Sequence, residues 1–407
     1  MSALTDLVRG YAPEACSPQA LSSNAYDAVA EPLRKVSVYI VDANDVARRL
    51  AETVRNMSLD AFIEEFWDRT VGAAHRCAAV TTCVLVFGTD ASPLGNHATS
   101  VWPAHYALAD VRTALLEFVR SGYAPIGRLV VVMHGIGDEP MALRPRDGGV
   151  ELGPVAALKL CAAPLVAAET DVAVAAWVRA NSAAHVLVDS HDTAVFAALL
   201  VTSALMRPPR GSLVVATSYV ACTTEGRTRL PVVLPQYINV HMATTLLDTI
   251  FATRFLQHNV VADRSHSVLL IMLIALCFRH QFMAADWLRG PGGLAAALGA
   301  ACCAARDRRL PPVLEVDGTA IAVRTSALTS LARALEEGST ARSEVACAAQ
   351  AARLAFWLAR LANAGAVMPD ARAADKRTGM SLWGYTPSGT LADAVAVQPV
   401  YVCRSAA

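Results

Sequence analysis

Short β-rich apolar runs alternate with helical stretches over the first two thirds of the chain, and several of the runs end on an acid. Val36 to Val41 (VSVYIV) is the first such run. It stops at Asp42 and is followed at once by a helical stretch, VARRLAETVRNM, for which Asp45 is the expected N-cap. Val80 to Phe87 is a second strand, closing on Gly88-Thr89-Asp90-Ala91-Ser92-Pro93. A helix around Asp110 to Arg120 precedes a third strand, Arg128 to His134 (RLVVVMH). Residues 135–165 are rich in Gly and Pro and read as an excursion from the sheet. Ala167 to Ala180 (AAETDVAVAAWVRA) is a helix opened by two acids, Glu169 and Asp171. His185 to Val188 leads into Asp189-Ser190-His191-Asp192 and then an apolar run, Ala194 to Ala204. Shorter strands follow at Leu213 to Val220, Arg229 to Leu234 and Tyr237 to Val240. From Met242 onward the pattern is almost wholly helical.

Strands alternating with helices predict an α/β fold: a mostly parallel central sheet flanked by helices, with a helical C-terminal half. The N-terminal residues 1–30 are small, polar and broken by prolines, and read as a loose arm. The α/β core is placed at 31–265 and a helical region packed on it at 266–407. No internal repeat and no long linker separates them, so the expectation is one domain. The longest apolar run, Ser267 to Phe278 (SVLLIMLIALCF), is held between His266 and Arg279-His280. It falls short of the roughly 20 residues that cross a bilayer and is expected to be a buried helix. The N-terminal residues do not have the charged start, long apolar core and cleavage site of a signal peptide. The expectation is a soluble, intracellular protein without a membrane partner.

Composition adds three constraints. With 54% apolar and 17% charged residues over 407 positions, the chain can bury a large core, and chain-wide disorder is excluded. Lys+Arg and Asp+Glu balance at 35 each, which argues against a strongly basic nucleic-acid binder. Only Lys35, Lys159 and Lys376 are lysines; with the abundant alanine, this arginine bias looks like GC-rich coding. The ten cysteines are scattered without a CxxC pair, which fits reduced core thiols and not a zinc site.

The chemistry resides at the strand ends. Continuous apolar strands are buried on both faces, so ligands bind at their C-terminal ends. Asp42, Asp90 and the pair Asp189/Asp192 each finish a strand, Glu169 and Asp171 open a helix, and Asp286 follows the most apolar run. Carboxylates gathered from so many elements repel one another unless cations neutralise them. Hard oxygen ligands suit Mg²⁺ or Mn²⁺, and two such ions can activate water against a phosphodiester. Any one of these acids is equally well a helix cap or a turn residue. Ser190-His191-Asp192 has the residue types of a catalytic triad, but sequence neighbours on one strand point to opposite faces and do not align as a relay. His134-Gly135-Ile136-Gly137-Asp138 holds a Gly-x-Gly with no Walker lysine, which is no nucleotide site.

The order of the acids resembles the flap-endonuclease/PIN-like superfamily of metal-dependent nucleases, over roughly residues 36–300. VYIVDAND matches an early strand ending in an Asp, and VFGTDASP is similar to a Phe-Asp-Gly-x-x-Pro segment with the acid displaced to Asp90. AAETDVAVAAWV resembles the family's acidic pair at a helix start, and VLVDSHDTAVFAALL its strand of closely spaced Asp residues. MAADWLRGPGGLAAAL is similar to a Gly-x-Asp-Tyr segment before a Gly-rich turn. The tail, with its aromatic helix, Pro-Asp and Trp-Gly, resembles virus- and transposon-borne members; together with the GC-rich composition it points to a large DNA virus or mobile element.

The resemblance implies a PIN-like fold and a metal-dependent nuclease acting on branched or flapped DNA, or on RNA. Asp42, Asp90, Glu169, Asp171, Asp192 and Asp286 would be catalytic and, with Asp189, would hold two Mg²⁺ or Mn²⁺ ions. Gly290, Gly292 and Gly293 would present backbone amides to a phosphate, in a helix-hairpin-helix-like turn near 286–300. Departures from the family pattern touch catalysis and not fold. The usual Asp-x-Asp reads Asp192-Thr193-Ala194 when the apolar run is aligned, Ala285 and Trp287 flank Asp286, and the Met-Gly-Ile start is absent. Residues 95–165, basic in the family, offer only Arg112, Arg120, Arg128, Arg144, Arg146 and Lys159. They leave a second expectation open: a catalytically inactive relative that serves as a nucleic-acid- or protein-binding scaffold.

Overall fold

The computed structural model of the chain describes residues 3–16, 34–53, 57–88, 108–122, 124–136, 140–147, 149–155, 170–205, 211–225 and 228–255, with three short strands at 314–317, 320–323 and 401–404. Strand β1 (Val38–Asp42) is buried along its whole length, as a β-branched run with a layer on each face must be. Helix α2 (Ala43–Thr53) follows without a loop, then α3 (Leu59–Trp67), which continues through a π-helical turn (Asp68–Gly72) and a last α turn (Ala73–Arg76). Ser58 caps α3 by accepting from Ala61 N–H. Strand β2 (Thr82–Val86), helix α4 (Leu108–Arg120) and strand β3 (Val130–His134) complete this half of the sheet.

Within residues 135–165, expected to leave the sheet, the described segments at 140–147 and 149–155 extend it instead. Strands β4 (Met141–Arg146) and β5 (Gly149–Pro154) form an antiparallel hairpin with Arg146 opposite Gly149, and β4 pairs with β3. The Asp147-Gly148 dipeptide that joins them is a hairpin signal, outweighed in the sequence reading by the local Gly and Pro content. Helix α5 (Thr170–Ala180), strand β6 (Val186–Asp189) and helix α6 (Thr193–Leu205) return the chain to the centre of the sheet. The expected short strands after residue 213 are two long ones, β7 (Leu213–Glu225) and β8 (Thr228–Asn239). Pro231 and Pro235 lie in β8, the outermost strand of the order, which is where a strand tolerates prolines. Helix α7 spans Val240–Phe255.

The strand order is β5-β4-β3-β2-β1-β6-β7-β8, with β3-β2-β1-β6-β7 parallel and the outer pairings antiparallel. The fold is therefore α/β, a mostly parallel eight-stranded sheet flanked by helices. Chain direction across the sheet reverses between β1 and β6, the kind of switch point at which such sheets open a crevice beyond their strand ends. One core packs Val46, Leu50, Phe62, Phe66 and Leu115 of α2–α4 against Tyr39, Val41, Leu85 and Met133. Each fully buried aliphatic or Phe side chain there contributes roughly 1.5–3 kcal/mol. Helices α5, α6 and α7 pack successively on one another.

Residues 3–16, read from the sequence as part of a loose arm, form helix α1 (Ala3–Tyr11) and a 3₁₀ turn (Pro13–Ala15). Leu4, Val8, Ala12 and Ala15 are fully buried, and Cys16 bridges to Ile238 of β8. In the expected helical C-terminal half, the described residues beyond α7 are strands β9 (Leu314–Asp317), β10 (Ala320–Val323) and β11 (Tyr401–Arg404), an antiparallel sheet of order β11-β10-β9. Ser267 to Phe278 and the rest of that half lie outside the described residues. Among the described residues no helix is long and apolar enough to cross a membrane.

Candidate functional site

Asp42 ends β1 on one side of the switch point, and Asp189 ends β6 on the other; Val41 stands in register with Asp189. Asp42 is buried where β1 runs directly into α2. Its Oδ1 accepts from Asp45 N–H at 3.0 Å, so Asp42 and not Asp45 caps α2. With the cap supplied by the strand's last residue, the helix begins at Ala43 and Asp45 falls inside its first turn. Asp42 Oδ2 accepts from Ser190 Oγ at 2.8 Å. None of the described arginines or lysines pairs with Asp42. Burial first, and then the like charges of Asp45 and Asp192, hold its carboxyl well above the usual carboxylate range.

The neighbouring acids are neutralised internally. Asp45 pairs with Arg48 through Oδ1, and its Oδ2 accepts from His191 N–H at 2.9 Å. Arg49 Nε stands 3.0 Å from the same Oδ2, an ion pair and not a linear hydrogen bond. Arg49 Nη2 donates to Asp189 Oδ1 at 2.9 Å, and Tyr39 OH donates to Asp189 Oδ2 at 2.8 Å. One guanidinium thus bridges carboxylates from α2 and β6, while a buried phenol closes the remaining oxygen of Asp189. Burial and the Asp189 charge raise the Tyr39 hydroxyl above its usual range. Asp192 caps α6, its Oδ1 accepting from Ala194 N–H at 2.7 Å. Ser190, His191 and Asp192 lie in the turn after β6 and not on a strand, and Ser190 Oγ points at Asp42 and not at His191. Burial and Arg49 lower the His191 imidazole from its ordinary value.

Asp171 lies in the first turn of α5 and is buried, with Oδ1 accepting from Val172 N–H. That turn stands over the end of β2: a methyl group on Gly88 would collide with Thr170, and α5 contacts both β1 and β2. Arg112 of α4 donates to the Gly88 carbonyl, with its guanidinium 6.0 Å from the Phe87 ring. On β3, His134 is 1% exposed and its Nδ1 accepts from Trp177 Nε1 at 3.3 Å. Its Nε2 has no hydrogen-bond partner, and burial pushes the imidazole down to about 4. Gly135, of the Gly-x-Gly motif, has φ +82°, and a methyl group there would meet the Phe87 carbonyl. That glycine serves a tight turn and a close backbone approach.

Of the acids expected at one site, Asp42, Asp189 and Asp192 come together at the switch point, and Asp171 opens the helix beside β1 and β2. Asp90, Glu169, Asp286, Gly290, Gly292 and Gly293 lie outside the described residues. Sequence reasoning did not single out Ser190, Arg49 or Tyr39 for a role at this edge. Their signal was weak: Arg49 lies one helical turn after Asp45, but nothing local announces Asp189 as its second partner. Among the described residues no group of three or more His, Cys, Asp or Glu is placed to hold a metal ion. The chain matches no protein-family model and no curated protein.

Proposed function

We propose that the chain is a divalent-metal-dependent nuclease of the flap-endonuclease/PIN-like class, acting on structured DNA or RNA at the carboxyl edge of its parallel strands. The observation that carries this reading is Asp42. It is a buried carboxyl at the switch point, facing like charges and without a cationic partner among the described residues, while Arg48 and Arg49 serve its neighbours. Burial, and after it repulsion from Asp45 and Asp192, favours its protonated form, and a cation beside it would oppose both. The donor chemistry suits Mg²⁺ or Mn²⁺, since Asp42 and Asp192 offer hard oxygens. These two do not complete a ligand set; the reading assigns the remainder to Asp171 and to Asp90, Glu169 and Asp286. A bound divalent ion would lower the pKa of a coordinated water and stabilise charge on the phosphodiester. Asp42, held at Oδ1 and Oδ2 by one hydrogen bond each, would keep the ion beside the crevice.

A second reading, a catalytically inactive relative that binds nucleic acid or protein, is favoured by Arg49. Its bridge between Asp45 and Asp189 fills with a fixed charge a place where the two-ion reading needs an open carboxylate. The deciding experiment incubates the full-length protein and Asp42→Asn with labelled flap, duplex and single-stranded substrates, with Mg²⁺ or Mn²⁺ and with EDTA. Cleavage is expected in metal, absent in EDTA and lost in Asp42→Asn. If the wild type cleaves no substrate in either metal, the nuclease reading falls and the binding reading replaces it.

A further inference from the structure

We propose that the chain pairs with a second copy of itself through the outer edge of β7, with Thr217–Glu225 of the two copies antiparallel about a two-fold axis at Ala221.

Strand β7 runs from Leu213 to Glu225, but only Leu213–Ala216 pairs with β6. The nine residues after Ala216 carry on past the carboxyl edge of the sheet, paired among the described residues with β8 alone. At the ordinary rise of a strand they reach roughly 30 Å beyond it. A two-stranded ribbon is marginal by itself, and a strand edge with unpaired N–H and C=O groups is a template for another strand.

Which groups face that edge follows from one hydrogen bond. Ser190 N–H donates to the Ala216 carbonyl, so Ala216 turns its backbone groups towards β6. A strand alternates with period two, so Ser218, Val220, Cys222 and Thr224 turn theirs the same way. Opposite them on β8 stand Pro235, Val233, Pro231 and Arg229, which therefore turn away from β7. Two of those four have no N–H to give, so the outer edge of β8 is interrupted. Thr217–Glu225 holds no proline, and its edge offers a complete row.

The register selects a second copy as the occupant. About Ala221, Ser218 meets Thr224 of the second copy and Val220 meets its Cys222, and the reverse pairs follow by symmetry. Each outward residue thus faces an outward residue, the condition for a ladder pair that exchanges two hydrogen bonds. Glu225 is the only charged residue of the segment and stands opposite Thr217, so no like charges oppose each other. Thr217 follows the residue that holds Ser190, so the ribbon of each copy ends beside the Ser190 turn of the other. The crevice at the switch point then has the partner's ribbon as one wall.

The test is sedimentation velocity of the full-length protein, joined to disulfide mapping of Ala221→Cys under mild oxidation. Wild type is expected to sediment as a dimer. Ala221 lies on the two-fold axis in a non-hydrogen-bonded pair, whose Cα atoms stand about 4.5 Å apart, within reach of a disulfide. Ala221→Cys should therefore give a covalent dimer joined through the introduced thiols, and not through Cys222, which meets Val220. Val220→Pro removes an outward N–H, keeps the pairing with β8 and should sediment as a monomer. Val233→Pro, on the already interrupted edge of β8, should stay dimeric. If Val220→Pro does not fold, the disulfide map decides alone. A wild type that is monomeric at every concentration, a dimer that survives Val220→Pro, or an Ala221→Cys dimer joined elsewhere overturns the proposal and leaves the β7 edge to a different strand.

Discussion

Replacing His134 by phenylalanine separates the acid sensitivity of one buried imidazole from that of the rest of the fold. His134 is sealed at the end of β3, its Nδ1 accepting from Trp177 Nε1 and its ring 6.4 Å from the indole in an edge-on arrangement. A second proton would place a donor against the Trp177 donor inside the core. Burial accordingly lowers the imidazole from 6.5 to about 4. The folded value is depressed, so the associated stability is full above the unfolded value and is lost as pH falls from about 6.5 towards about 4, because there the unfolded chain takes up a proton that the folded chain refuses. Linkage over that window gives a loss of roughly 2–3 kcal/mol between pH 7.5 and pH 4.5. At pH 7.5 two effects of His134→Phe oppose each other. Trp177 N–H loses its acceptor, at about 1–3 kcal/mol, and the unpartnered Nε2 is removed, a gain of similar size. Variant and wild type should then lie within about 1 kcal/mol of each other at pH 7.5. At pH 4.5 the variant should be the more stable by roughly 2–3 kcal/mol. His241, also lowered to about 4 and hydrogen-bonded to Ser203, is present in both proteins and cancels. Urea denaturation at the two pH values measures the difference. An equal loss of stability in both proteins on acidification would refute the account of His134.

Two further substitutions test the elements around the edge. Gly135→Ala, at φ +82° and against the Phe87 carbonyl, should destabilise by about 3 kcal/mol or more in chemical denaturation, and a cost under about 1 kcal/mol would show that the β3 turn does not need its glycine. Arg49→Ala should cost about 2 kcal/mol by leaving Asp189 without its counter-charge and Asp45 with Arg48 alone, and Arg49→Lys should recover under half of this because a single ammonium does not span both carboxylates; full recovery by lysine in thermal melts would refute the bridging geometry.

The parallel half of the fold was legible because its strands obey the simplest rule. Val38–Asp42, Thr82–Val86, Val130–His134 and Val186–Asp189 are short apolar runs, buried on both faces in the first three and on one face in the last, and they leave a plain signal in the chain. The antiparallel additions were less legible. In Met141–Pro154 the glycines and prolines that usually interrupt structure sit in a hairpin, where register and not apolar content holds the strands. At Leu213–Asn239 the strands run on through prolines and polar residues, so local composition divided what the ladder unites. Helix α1 hid its role for another reason. Leu4 and Val8 of the helix and Ala12 just after it recur one helical turn apart, but they are few and lie in a polar, Pro-broken setting, and the helices that α1 packs on, α6 and α7, lie far along the chain.

At the site, type and order could be read and pairing could not. That Asp42 ends a strand and Asp192 precedes a helix follows from sequence alone. Which of the acids is left without a counter-charge among the described residues does not, because that depends on contacts between residues about 140–150 positions apart, such as Arg49 with Asp189 and Ser190 with Asp42. Sequence treats the acids at the strand ends as one set. The fold divides them: Asp45 and Asp189 share an arginine, Asp192 spends one oxygen on a helix cap, and Asp42 is left to a hydroxyl and an amide. Since a divalent cation competes with a fixed guanidinium for the same lone pairs, that division decides where on this edge an ion could bind. Under the proposed reading an ion would meet Asp42, on the β1 side of the switch point, and not Asp189, whose two oxygens already accept from Arg49 and Tyr39.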